Sequence, residues 1–107
     1  MTNLTSLELQ NNEIVDLVPL QHLPKLTSLF VYGNRISDLT PLEPMANLRY
    51  LHIGYNPITI SDVTPLQSLT NLEVLLLSID QVGDWDTLES DYQEWQMALP
   101  HVAIHIE

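Results

Sequence analysis

A right-handed α/β solenoid, with a parallel sheet of about five short strands and one helix closing the C-terminal end, is the fold this sequence predicts. Three observations carry it. The unit L-x-x-L-x-L-x-x-N-x-I recurs from positions 4, 26, 48 and 72, at spacings of 22, 22 and 24 residues. An aspartate follows each unit (Asp16, Asp38, Asp62, Asp84), with a proline three residues later in the first three copies (Pro19, Pro41, Pro65). After Trp85 that rhythm stops and apolar residues recur at helical spacing.

The first copy reads Leu4, Leu7, Leu9, Asn12, Ile14, Leu17, Leu20 and Leu23. The second has Leu26, Leu29, Val31, Asn34 and Ile36, followed by Leu39, Leu42 and Met45. The L-x-L alternation makes a short strand with one buried face, and successive copies stack such strands about 4.8 Å apart. Asn12, Asn34 and Asn56 stand where the chain turns away from the sheet. An inward amide there both donates to and accepts from backbone groups that the bend would otherwise leave buried and unpaired. The fourth copy (Leu72, Leu75, Leu77, Val82) has Asp80 in that place, which accepts without donating, so a weaker ladder is expected there.

The third copy reads Leu48, Leu51, Ile53 and Asn56, then Ile60, Val63, Leu66 and Leu69. Two extra residues within Asn56-Pro57-Ile58-Thr59-Ile60 predict a bulge on the rim after the third strand. The D-L-x-P-L segments predict capped 3₁₀ turns on the convex side, since aspartate caps helix starts and proline fits a first helical turn. Capping accounts for the aligned carboxylates without a calcium ion.

Asp86-Thr87-Leu88-Glu89 has the form of a capping box, and Leu88, Tyr92, Trp95 and Leu99 recur at helical spacing. A helix over 86–98 is expected, ended by Pro100, then a fifth strand over 101–106 in which Leu99, Val102 and Ile104 repeat the leucine pattern. Residues 85–107 would form a cap, with Trp85 and Trp95 covering the last apolar edge. At the other end, Met1-Thr2-Asn3-Leu4 aligns with Met45-Ala46-Asn47-Leu48 and Leu69-Thr70-Asn71-Leu72. The expectation is that residues 1–107 are one repeat domain cut from a longer array, uncapped at the first strand and able to self-associate through that edge.

These residues carry a resemblance: the chain is similar to the leucine-rich repeat family, in the short 22-residue class typified by bacterial internalins, over nearly its whole length. The resemblance implies a concave face that holds protein partners, and a place on the bacterial surface or in secretion. A cytoplasmic location stays open.

Composition narrows the function from the other side. With 14 acidic against 3 basic residues the net charge is −11, which opposes binding to nucleic acid or anionic membranes. There is no cysteine, hence no disulfide framework or thiolate metal site. No stretch reaches the ~18 apolar residues of a membrane span. His101 and His105 lie four residues apart on one expected strand, about 13 Å, too far for one ion. No phosphate loop, nucleophile elbow or metal-binding helix motif occurs, so a non-catalytic role without cofactor or metal is expected.

The residues between the leucines build the concave face: Ser6, Glu8, Gln10; Ser28, Phe30, Tyr32; Tyr50, His52, Gly54; Val74, Leu76, Ser78; His101, Ala103, His105. Phe30, Tyr32, Tyr50, His52 and Leu76 would form one patch, with Tyr55 and Arg35 at its rim. Affinity for a protein partner is expected from Phe30, Tyr32, Tyr50 and Leu76, and orientation from His52, Glu8 and Arg35. Two rival readings are a structural spacer or capping segment within a larger surface protein, and a carbohydrate-binding face built on stacked tyrosines.

Overall fold

The computed structural model describes residues 3–78, 81 and 88–106 of the 107, without the side chains of residues 88 and 89. Five strands, β1 (Ser6–Glu8), β2 (Ser28–Phe30), β3 (Tyr50–His52), β4 (Val74–Leu77) and β5 (Ala103–Ile106), form one sheet in chain order. Every neighbouring pair is parallel. The connections carry 3₁₀ turns at Val18–His22, Thr40–Leu42, Ile60–Asp62 and Thr64–Ser68, and helix α1 (Leu88–Ala98) precedes β5.

The leucine columns build the core. Leu26, Leu29, Leu48, Leu51, Ile53, Leu75 and Leu77 are fully buried, as are Ile36, Leu39 and Leu42 from the convex side. Leu4, Leu7, Leu9 and Ile14 of the first coil are only partly covered, since among the described residues only the second coil packs against them.

The asparagine ladder forms as the chemistry demands. Asn34 Nδ2 donates to Leu9 O at 2.9 Å and Val31 O at 2.8 Å, while Oδ1 accepts the Asn12 and Ile14 N–H groups, each at 3.1 Å. Asn56 repeats the pattern one coil later, donating to Val31 O, Ile53 O and Gly54 O and accepting from Ile36 N–H. In the fourth coil the donor is Gln81, which is buried: Nε2 donates to Ile53 O and Asn56 O, each at 2.8 Å, and Oε1 accepts Ser78 N–H. The longer glutamine side chain reaches the carbonyls from one position further on, so the ladder continues with a full amide. Asp80, expected to weaken it, lies outside the described residues, as do Val82, Asp84 and Trp85.

Three other expectations change. Asn56 is followed by the buried Ile58, which fills the place of Ile36, while Ile60 is only partly covered. The two extra residues therefore enter after Ile58, on the way to the convex side. They are absorbed in the 3₁₀ turn Ile60–Asp62, closed by a Thr59/Asp62 capping box. Asp62 accordingly accepts Thr59 N–H, whereas Asp16 and Asp38 accept the N–H two residues ahead, of Val18 and Thr40. Finally, Leu75 is paired with Ile104 and Leu77 with Ile106, so the fifth strand sits two residues later than the leucine spacing implied. His105 stands beside Leu76, and His101 precedes the strand.

At the C-terminal end Trp95 is fully buried. Gln96 Nε2 donates to Leu99 O and Val102 O, and Tyr92 Oη to Ile104 O, tying α1 to the segment entering β5. The start of the expected helix, residues 86 and 87, is outside the described residues.

Candidate concave interaction face

The register fixes which side chains are neighbours. One row across the sheet is Ser6, Ser28, Tyr50, Val74, Ala103, and the next is Glu8, Phe30, His52, Leu76, His105. Sheet packing keeps adjacent members of a row about 4.8 Å apart. Phe30, Tyr32, Val74 and Leu76 are partly covered, and Tyr50 is 42% exposed. Glu8, at the edge of the second row, is exposed beside Phe30.

His52 departs from its expected place. It is 6% exposed, with the Tyr32 ring lying over it at a centroid separation of 4.2 Å and 32° between planes. Its ring also fills the space left by the missing side chain of Gly54: a Cβ there would meet His52 Nε2 at 3.1 Å. A flat ring two residues before a glycine folds down into that gap, and Tyr32 closes over it. His52 is thus the floor of the face, while Tyr50 is exposed and Tyr32, Phe30 and Leu76 are partly exposed above it.

The two rim residues differ from each other. Arg35 is exposed and points to Glu13 at 3.7 Å, a solvent-screened pair of little energetic weight. Tyr55 is 53% exposed and has φ +56°. It belongs to a column of left-handed residues, Asn11 (φ 60°), Gly33 (φ 72°) and Tyr55, one at the rim turn of each of the first three coils. Asparagine and glycine suit that conformation, and tyrosine is strained in it. Tyr55 N–H donates to Ser78 Oγ at 2.9 Å, which holds the turn. The repeat period places residues 11, 33 and 55 in one column, but their dihedral angles follow from the turn geometry of the folded coils.

Beyond the strand starts a shallow open cleft of about 400 Å³ is lined by Arg49, Thr70, Asn71, Leu72, Glu73 and His101. Arg49 and Glu73 pair across it at 3.8 Å. No helix among the described residues is long and apolar enough to cross a membrane.

Comparison with known proteins agrees with the geometry. A family model described as Leucine Rich repeats (2 copies) matches residues 2–44, and one described as Leucine Rich Repeat matches residues 47–69. No curated protein sequence matches the chain. Among solved structures it resembles internalin C2 of Listeria monocytogenes at 27% identity and TM-score 0.72, over 99% of this chain and 45% of that one. It also resembles an internalin (inlF) of the same organism at 23% identity and TM-score 0.60, over 97% of this chain and 41% of that one, a likeness of fold. The chain spans less than half the length of either internalin.

Proposed function

For a chain that belongs to the leucine-rich repeat family, with internalin-like architecture, we propose a non-catalytic protein-interaction module that holds its partner on the concave face of the sheet. The observation that carries this reading is the exposed Tyr50, flanked in register by Ser28 and Val74 and adjoining the Phe30, His52, Leu76 row. Tyr50 itself is no part of the buried leucine core. Partly covered aromatic and aliphatic groups on a rigid sheet suit the centre of an interface, where a few anchors supply most of the affinity.

The test is affinity measured on a partner isolated with the immobilised domain. Tyr50→Ala and Leu76→Ala should each weaken binding about tenfold or more, while Val18→Ala on the convex side should match the unaltered protein. Thermal melting of Tyr50→Ala should stay within a few degrees. Equal binding by Tyr50→Ala would remove the concave face from the interaction and favour the spacer reading. Binding to a glycan array that depends on Tyr50 would favour the carbohydrate reading.

A second contact rests on a different observation. Leu4, Leu7, Leu9 and Ile14 are partly covered while their counterparts in the second and third coils are fully buried, and among the described residues β1 pairs only with β2. We propose that this edge supports self-association. Sedimentation of a single monomeric species at high concentration would refute it.

A further inference from the structure

Resting on the concave-face reading, we propose that the partner presents arginine or lysine side chains to this face, gripped by Tyr50 and Tyr55 and neutralised by Glu8. Three observations lead there. The chain has only three Lys and Arg residues against 14 Asp and Glu, and each of the three already faces an acceptor within the molecule: Arg35 faces Glu13, Arg49 faces Glu73 and Lys25 donates to Asn3 Oδ1. Glu8 is exposed beside Phe30 and makes no ion pair among the described residues. The large exposed apolar side chains of the third coil are two tyrosines, one at the strand start and one on the rim beyond its end.

An aromatic face attracts a cation through its ring quadrupole, arginine above all, and the attraction grows as the pair leaves water. The net charge of −11 draws a basic surface towards the domain and raises the encounter rate at low salt. A partner bearing an acidic patch meets repulsion from the same field. The backbone of Tyr55 gives independent support. Tyrosine occupies a left-handed position that the equivalent coils fill with Asn11 and Gly33. Strain of that kind clusters at ligand clamps and other functional sites, and Tyr55, 53% exposed, presents its ring to solvent there.

The experiment titrates the full chain with a capped tetra-arginine peptide, following the tyrosine ring resonances by NMR, with a capped tetra-glutamate peptide in parallel. Tetra-arginine should shift Tyr50 and Tyr55 selectively, and the double variant Tyr50→Leu/Tyr55→Gly should bind it at least fivefold more weakly. Glycine accepts the left-handed turn, so the fold survives that change. Shifts spread evenly over the acidic surface, or equal binding by the double variant, would overturn the proposal. With an isolated partner the two readings separate. If Tyr50→Ala loses that partner but reversal of the partner's basic residues leaves its affinity unchanged, the cationic inference fails and the concave face stands.

Discussion

Removing the amide of Asn56 is the sharpest test of how the coils hold together. Asn56→Ala deletes one acceptor and a set of donor bonds, yet the carbonyls are not abandoned. Val31 O keeps Asn34 Nδ2, Ile53 O keeps Gln81 Nε2, and Gly54 O keeps Gly33 N–H. The group left without a partner is Ile36 N–H, buried and bonded to Asn56 Oδ1 at 3.0 Å. An orphaned buried donor costs about 1–3 kcal/mol, and the lost bonds add about 1 kcal/mol of net stabilisation each where not fully replaced. A loss of about 3 kcal/mol is expected. Asn34→Ala orphans the Asn12 and Ile14 N–H groups, which lie nearer solvent, and should cost about 2 kcal/mol. The Asn12 side chain is exposed and, among the described residues, donates only to Leu9 O and Gln10 O, so Asn12→Ala should cost less than about 1 kcal/mol. Urea unfolding at constant m-value measures the series, and amide exchange at Ile36 reports the orphan directly. Equal losses at Asn12 and Asn56 would refute the argument, since stability would then not follow the burial of the orphaned donor.

The rim column predicts opposite behaviour at two turns. Gly33→Ala puts a Cβ into Asn11 Oδ1 at φ +72° and should destabilise by about 2 kcal/mol, whereas Tyr55→Gly should leave the denaturation midpoint unchanged or raised. At the cap, Trp95→Ala should cost about 3–5 kcal/mol by calorimetry or denaturant, because a fully buried indole leaves a large cavity. Tyr32→Ala should lower the melting temperature more than Tyr50→Ala, since Tyr32 covers His52 while Tyr50 is 42% exposed. The Asp38 carboxyl is held below its ordinary 3.8 by the Thr40 hydroxyl first and the Thr40 N–H second. Its contribution is therefore complete above the unfolded value and is lost as the pH falls through the lower folded value. Asp38→Asn should flatten the acid limb of the stability curve at that end.

Repetition made much of the fold legible. A period of 22 residues with leucines in register admits few architectures, because each coil can bury its apolar stripe only against the next. The same repetition misled where the chain departs from it. Ile58 and Ile60 both fit the consensus isoleucine by type, and only packing shows Ile58 fully buried and Ile60 at the margin. Leu99, Val102 and Ile104 copy the leucine spacing, yet the turn after α1 shifts the register so that Ile104 and Ile106 meet Leu75 and Leu77. Gln81 lies outside the asparagine column, and its longer side chain reaches the same carbonyls from one residue further on, which the period alone does not reveal.

By itself, then, the sequence determined the sheet, its order, the leucine core and the inward asparagine column, because these depend on local alternation and a fixed period. It also placed Phe30, Tyr32, Tyr50 and Leu76 on one face, since side-chain direction in a strand follows from parity. Only the tertiary structure decided which of them meet solvent. His52 and Tyr50 share a strand face by parity, but His52 sinks over Gly54 beneath Tyr32 while Tyr50 stays open. Burial of a side chain on a sheet depends on the residues beside it in the row and on the gap a glycine leaves, and those neighbours come from coils 22 residues away.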